Sequence, residues 1–281
     1  MKGFASARRR GVVALVAATW TVALVGTGVA QGAPSYPSSI AATGDSITRA
    51  YNTGLFPYTD NPSASWSTGT NSAVVSQYTR LLALPTAISG HAYNDAKSGA
   101  KIADLNGQMA TAVSQRAGYV TVLMGANDVC TSSESAMTTV DAFRASFTQA
   151  MNTVTAGSPS TLVSVSSIPN IYQLWSVLKG NTTARSVWAL FGVCKSMLAN
   201  PTSTKAADVD RRARVLQREV DFNTALAQVC AQYVQCRYDG NAVFSTALVA
   251  SDITTRDYFH PSVSGQKKLA AVSWSAGYWG P

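Results

Sequence analysis

The sequence predicts an α/β fold, a mainly parallel sheet with helices packed on both faces. Three observations predict it. Strand-like apolar runs alternate with amphipathic helical runs along most of the chain. The clearest of these runs, Tyr119-Val120-Thr121-Val122-Leu123-Met124, is almost wholly apolar, which suits a strand covered on both sides. No internal repeat or long low-complexity linker breaks the alternation, so residues 34–281 read as a single domain.

Residues 1–33 stand apart from that domain. They carry Lys2, Arg8, Arg9 and Arg10 and no acid, then an apolar run from Val12 to Val25, then small residues through Gly28, Ala30, Gly32 and Ala33. This is the three-part pattern of a secretory signal peptide, with cleavage expected at about residues 30–33. The apolar run is shorter than the ~20 residues that span a bilayer, and no later stretch is longer and as apolar. The expectation is a secreted chain without an integral membrane segment.

The elements follow in order. Residues 34–39, with Pro34 and Pro37, form an extended lead-in. Ser39 to Ala42 is a short strand ending at Thr43-Gly44. Residues 71–83 read as a helix with Val74, Val75, Tyr78, Leu81 and Leu82 on one face. A second strand is expected over 88–94, and a helix carrying Ile102, Leu105, Met109 and Val113 follows. After the apolar strand comes a helix marked by Phe143, Phe147, Met151 and Val154. Then follow a β-branched strand over 161–167 and a long helix with Val209, Ala213, Leu216, Val220 and Leu226 on its face. A last strand over 234–238 and a closing helix over 265–278 complete the pattern. Residues 51–70 and 169–206 break the alternation and carry many aromatics. Stretches of that length hold extra structure or function, either as a pocket or partial lid or as cover for the sheet.

Charge narrows the function classes. The chain has 22 basic and 14 acidic residues, a net charge of +8; without the four basic residues of 1–33 the balance is +4. The one dense basic cluster, Arg211, Arg212, Arg214 and Arg218, alternates with Asp208, Asp210, Glu219 and Asp221 and reads as a solvated helix face rather than a nucleic-acid stripe. A hydrophobic content of 46% argues against disorder. The expectation from charge is a monomer with a small-molecule or lipid partner and no nucleic acid.

The four cysteines, Cys130, Cys194, Cys230 and Cys236, all follow the signal segment and are even in number, so two disulfides are expected outside the cell. A zinc knuckle would need closer pairing or nearby histidines. The expected pairs are Cys130–Cys194 and Cys230–Cys236. The second would join the end of the long helix to the next strand, and the first would tie the aromatic stretch to the segment after the apolar strand.

Only two histidines are present. His260 lies in Asp257-Tyr258-Phe259-His260-Pro261, where an aspartate three residues upstream reaches Nδ1 across a tight turn. His91 has no such neighbour and reads as structural or exposed. Gly44-Asp45-Ser46 follows the first strand, at the carboxyl end where parallel sheets bind ligands. Gly125-Ala126-Asn127-Asp128 follows the strongest strand and offers a side-chain amide as a donor, and Ser98-Gly99-Ala100 precedes a helical run, where a backbone N–H is also a good donor.

These four blocks, in this order over about residues 39–277, resemble the SGNH or GDSL hydrolases. The resemblance implies a three-layer α/β/α sandwich with a flavodoxin-like sheet and ester hydrolysis without metal or other cofactor. It further implies Ser46 as nucleophile, His260 as base and Asp257 as its orienting acid. The oxyanion donors would be the N–H groups of Ser46 and Gly99 and the side chain of Asn127. Ser65-Trp66-Ser67-Thr68-Gly69 and the cysteine after the asparagine block look like the phospholipase B-type branch. The expected activity is that of a secreted serine carboxylic-ester hydrolase of esterase or lipase type. An acyltransferase of the same fold and a catalytically inactive ligand-binding protein are the alternatives.

Overall fold

Strands β1 (Ile40–Gly44), β2 (Ala92–Asn94), β3 (Tyr119–Leu123), β4 (Leu162–Val165) and β5 (Cys236–Tyr238) form one sheet in the order β2-β1-β3-β4-β5. Every pairing in it is parallel. The computed structural model describes residues 1–3 and 34–280, and residues 34–280 pack as one unit. The expected signal segment lies outside the described residues, apart from its first three. The strand order reverses direction between β1 and β3, so these two central strands mark the switch point of the sheet. Their ends are in register, Gly44 opposite Leu123, so the chain leaves both strands side by side. That register brings the nucleophile block and the asparagine block to one place.

The described helices are α1 (Gln77–Leu82), α2 (Leu105–Ser114), α3 (Ala126–Val129), α4 (Val140–Gly157), α5 (Ile171–Leu178), α6 (Thr182–Phe191), α7 (Lys195–Leu198), α8 (Ala206–Cys230) and α9 (Val263–Ser275). The larger core lies between the sheet and α2, α4 and α8, where Val120, Val122, Phe143, Phe147, Met151 and Phe222 are buried. Phe143 and Phe222 stack with ring centroids 4.0 Å apart. Burying each such side chain contributes about 1.5–3 kcal/mol. The opposite face holds a second cluster in which Ile40, Tyr78, Leu81, Ile88 and Tyr119 meet Trp274 of α9 and Tyr278 and Trp279 beyond it. The alternation along β3, Tyr119 to one face and Val120 and Val122 to the other, makes the predicted three layers.

Two helices differ from the reading of the sequence. The first begins at Gln77 rather than near residue 71. Ser76 caps it by accepting from the Thr79 N–H, and Val75 sits in the left-handed region with φ +54°. Val75 and Leu82 are consequently exposed, while Val74, Tyr78 and Leu81 are buried. In α8 the buried stripe is Asp208, Arg212, Val215, Glu219, Phe222, Asn223 and Leu226, whereas Val209 and Val220 are exposed. The hydrophobic stripe was misplaced because polar side chains face inward to serve loop backbone. Arg212 donates to the carbonyls of Asn200 and Ser203, and Asn223 accepts from the Ile168 N–H.

The basic cluster is therefore only in part a solvated face, Arg214 being exposed and Arg212 buried. Arg211 donates to the Ser196 and Ala199 carbonyls, Arg218 to the Thr138 carbonyl, and Arg214 pairs with Glu134. Strands β2 and β5 are shorter than expected. Residues 169–206 contain α5, α6 and α7. Cys130 is bonded to Cys194, tying the start of α7 to the end of α3, and Cys230 is bonded to Cys236, joining α8 to β5. Among the described residues no helix is long and apolar enough to cross a membrane.

Candidate active site

The site begins with a glycine that no other residue can replace. Gly44 has φ +142°, and a Cβ there would lie 2.4 Å from the Leu123 carbonyl oxygen and 2.6 Å from Thr48 Oγ1. Gln108 of α2 clamps this turn, its Oε1 accepting from the Gly44 N–H at 2.7 Å and its Nε2 donating to the Gly44 carbonyl at 2.9 Å. The chain then turns sharply, and Ser46 is placed beyond the carboxyl end of β1.

Ser46 Oγ lies 2.8 Å from His260 Nε2, and His260 Nδ1 lies 2.7 Å from Asp257 Oδ2. These residues join the first strand turn to a turn 214 residues later. Asp257 Oδ1 also accepts the N–H groups of Phe259 at 2.9 Å and His260 at 3.0 Å. Burial pushes this carboxyl up. The hydrogen bond and charge of His260, with the two backbone N–H groups, outweigh it and hold the Asp257 pKa below the ordinary aspartate range. The Tyr51 ring lies against the imidazole, centroids 4.9 Å apart, and Phe259 meets it edge-on.

Asn52 was not singled out in the sequence. Its Nδ2 donates to Asp257 Oδ2, the same oxygen that faces the imidazole. Its Oδ1 accepts the Tyr58 N–H at 2.6 Å. A backbone N–H can only donate, so this second bond fixes the amide with its NH₂ toward the carboxylate. Asn52 has φ +64°, a region asparagine tolerates better than most residues. An asparagine within a turn-rich stretch just after the nucleophile was the available signal, but its partner is 205 residues away.

The other blocks converge on the same end of the sheet. Gly125, with φ +127°, ends β3 and opens α3; a Cβ there would strike the Ile168 side chain at 2.4 Å. Asn127 Nδ2 donates to the Ala100 carbonyl at 2.9 Å, which links the asparagine block to the residue after Gly99. Gly99 has φ +82° and open space where a Cβ would go, so its backbone conformation rather than crowding favours glycine. Its loop is held by Ser98 Oγ, which donates to Asp60 at 2.5 Å, while Arg49 Nε grips the other oxygen of Asp60 at 2.9 Å. Among the described residues the N–H groups of Ser46 and Gly99 have no acceptor. Asp128 is buried and receives the Ile102 N–H and the Thr138 hydroxyl, bracing α3 against the segments that lead into α2 and α4.

Asp45 is fully buried. Its Oδ1 accepts the Ile47 N–H at 2.9 Å, and its Oδ2 has no partner. Burial raises its pKa to about 7, only partly offset by that N–H and by the charge of His260. His91 is exposed, and its backbone carbonyl serves Ile40 at the sheet edge, away from the site.

An apolar pocket opens beside these residues. Ile47, Ala126 and Phe259 line it, each the chain neighbour of Ser46, Asn127 or His260, and Ile171, Leu174 and Leu269 close its far side. The wall formed by residues 169–171 is anchored to α8, whose buried Glu219 accepts the Ile171 N–H and whose Asn223 accepts the N–H of the adjoining Ile168. Burial pushes the Glu219 carboxyl well above the ordinary range, countered only by the Ile171 N–H.

The model of the GDSL-like Lipase/Acylhydrolase family matches residues 40–272. An extracellular lipase from Streptomyces rimosus is similar in structure, with a TM-score of 0.51 and 18% identity over 85% of this chain and 100% of that one. Phospholipase A1 from Streptomyces albidoflavus NA297 has a TM-score of 0.47 and 18% identity over 82% of this chain and 94% of that one. A family 3 carbohydrate esterase from Clostridium thermocellum has a TM-score of 0.48 and 12% identity over 83% and 92%. No curated protein matches the chain.

Proposed function

We propose that this chain, which belongs to the GDSL-like lipase/acylhydrolase family and is a hydrolase of ester bonds, works as a secreted serine esterase through Ser46, His260 and Asp257. The observation that carries the reading is the unbroken hydrogen-bond chain from Asp257 through His260 to Ser46. His260 Nε2 takes the Ser46 proton as Oγ bonds to the acyl carbon, and the carbonyl electron pair moves to its oxygen. The free N–H groups of Ser46 and Gly99 and the second N–H of Asn127 Nδ2 receive that oxyanion. Collapse breaks the ester C–O bond, the alcohol leaves with the proton from His260, and water repeats the sequence on the acyl-enzyme. Asp257 stays charged throughout and holds the imidazole in one tautomer. The apolar pocket beside Ser46 takes the acyl chain. The two disulfides and the signal-like residues 1–33 support an extracellular site of action.

Hydrolysis of p-nitrophenyl esters of graded chain length tests this reading. Asn127→Ala should lower kcat about 10²- to 10³-fold with little change in KM, because a donor aimed at the oxyanion acts in the transition state. A rise in KM alone would make Asn127 a substrate-binding residue. Product analysis with and without an added alcohol separates hydrolysis from acyl transfer.

A further inference from the structure

Two segments far apart in sequence present large apolar side chains to solvent at the rim of the site. Leu55, Phe56 and Tyr58 follow the nucleophile turn and are 84%, 68% and 51% exposed. Leu190 and Phe191 end α6 and are 78% and 58% exposed. The two groups meet, since the Tyr58 and Phe191 rings lie 5.9 Å apart. Single exposed apolar residues are ordinary, but five on two segments that touch through Tyr58 and Phe191 mark a contact surface.

Both segments are anchored to the acid–base turn. The Tyr58 N–H donates to Asn52, which holds Asp257. Trp188, one turn before Phe191, donates from Nε1 to the Tyr258 carbonyl at 3.0 Å. The patch is therefore held in a fixed relation to His260.

Its charge also has a sign. Residues 50–59 and 182–200 contain Arg185 and Lys195 and no acid, and the adjoining Asp60 is paired with Arg49 and accepts from Ser98. Arg256 lies beneath the first segment, its guanidinium donating to the Gly54 and Leu55 carbonyls. Apolar and aromatic side chains on segments whose own charges are cationic, with the adjoining carboxylate of Asp60 already paired to Arg49, match a layer of anionic lipid headgroups over acyl chains.

We propose that Leu55, Phe56, Tyr58, Leu190 and Phe191 dock the enzyme on an anionic lipid surface, so that its substrates are esters presented in that surface. The proposal rests on the ester hydrolase reading. A protein partner seated on this rim would shield the entrance to Ser46, whereas a lipid layer is itself the source of substrate.

The test uses sucrose-loaded vesicles of phosphatidylcholine alone and of phosphatidylcholine with phosphatidylglycerol, sedimented with the full-length secreted protein. Wild type should sediment with the anionic vesicles, less strongly with the neutral ones, and the difference should shrink in high salt. Phe56→Ser with Phe191→Ser should weaken vesicle binding at least about tenfold. The same variant should hydrolyse monomeric p-nitrophenyl acetate at the wild-type rate, which also reports that it is folded. If it is not, Leu55→Ser with Leu190→Ser, at the two most exposed positions, takes its place. Wild type that turns over the soluble ester yet stays off both vesicles overturns the proposal, and so does a variant that binds as tightly as wild type. A wild-type dimer that becomes monomeric in the variant, without vesicle binding, assigns the patch to a second copy and overturns it as well. Absence of hydrolysis of the soluble ester by wild type would instead refute the esterase reading.

Discussion

The nucleophile turn and the acid–base turn each bury an aspartate, and the two carboxyls behave in opposite ways. Asp45 has one backbone donor and an oxygen without a partner, and its pKa is pushed up to about 7. Asp257 is also buried, but Phe259, His260 and Asn52 together give it four donors, and its pKa lies below the ordinary value of 3.8. Burial is common to both; the supply of donors decides whether the charge survives. The turn proposed to orient an imidazolium keeps its carboxylate. The turn that only shapes the backbone around Ser46 holds a carboxyl that is readily neutral.

The largest effects should come from cutting the chain that joins the turns. Ser46→Ala and His260→Ala should each remove activity by about 10⁴- to 10⁶-fold with circular dichroism unchanged. A comparable loss in His91→Ala, or full activity in His260→Ala, would reassign the base.

Exchanging each carboxyl for an amide sharpens the contrast. Asp257→Asn should cost about 10³- to 10⁴-fold in kcat by removing the charge that fixes the His260 tautomer. Asp45→Asn should leave most activity. Equal losses in ester turnover would mean that Asp45 acts as an anion too.

The two turns should also oppose each other in the pH dependence of stability. Between pH 3.8 and about 7 the unfolded chain has released the Asp45 proton and the folded chain keeps it. Stability from this group is present below pH 3.8 and is lost as pH rises to about 7, a contribution of roughly 4 kcal/mol. Asp257 works the other way. Its contribution is present above pH 3.8 and is lost as pH falls through its lower folded value. Urea unfolding of Asp45→Asn across this range should show a smaller decline with rising pH than wild type. A parallel pair of curves would contradict the assignment.

The smallest effect should come from Asn52→Gly, which keeps the left-handed backbone and removes one donor to Asp257. A cost of about 1.5–3 kcal/mol is expected near neutral pH, the range for a hydrogen bond to a charged group. The deficit should shrink in acid, where Asp257 takes up a proton and no longer needs that donor. A deficit independent of pH would show that Asn52 supports the loop rather than the carboxylate.

The sequence by itself determined the α/β class and the run of strands, because alternating periodicities and the apolar Tyr119 to Leu123 segment are local properties. It also carried the blocks around Ser46, Gly99, Asn127 and His260. A glycine forced by a close approach, or an aspartate three residues before a histidine, leaves a short-range mark. The cysteine pairing was legible as well, since the helix end at Cys230 and the strand at Cys236 lie within one turn of chain. Only the tertiary structure decided that Asn52 faces Asp257. It alone decided that α8 turns Arg212, Glu219 and Asn223 inward, and that Phe191 meets Tyr58 at the rim. In each case the partner is a backbone group, a charge or a ring from a distant segment. A polar side chain shows the same letters whether it is solvated or buried against such a partner, so hydrophobic periodicity cannot distinguish the two.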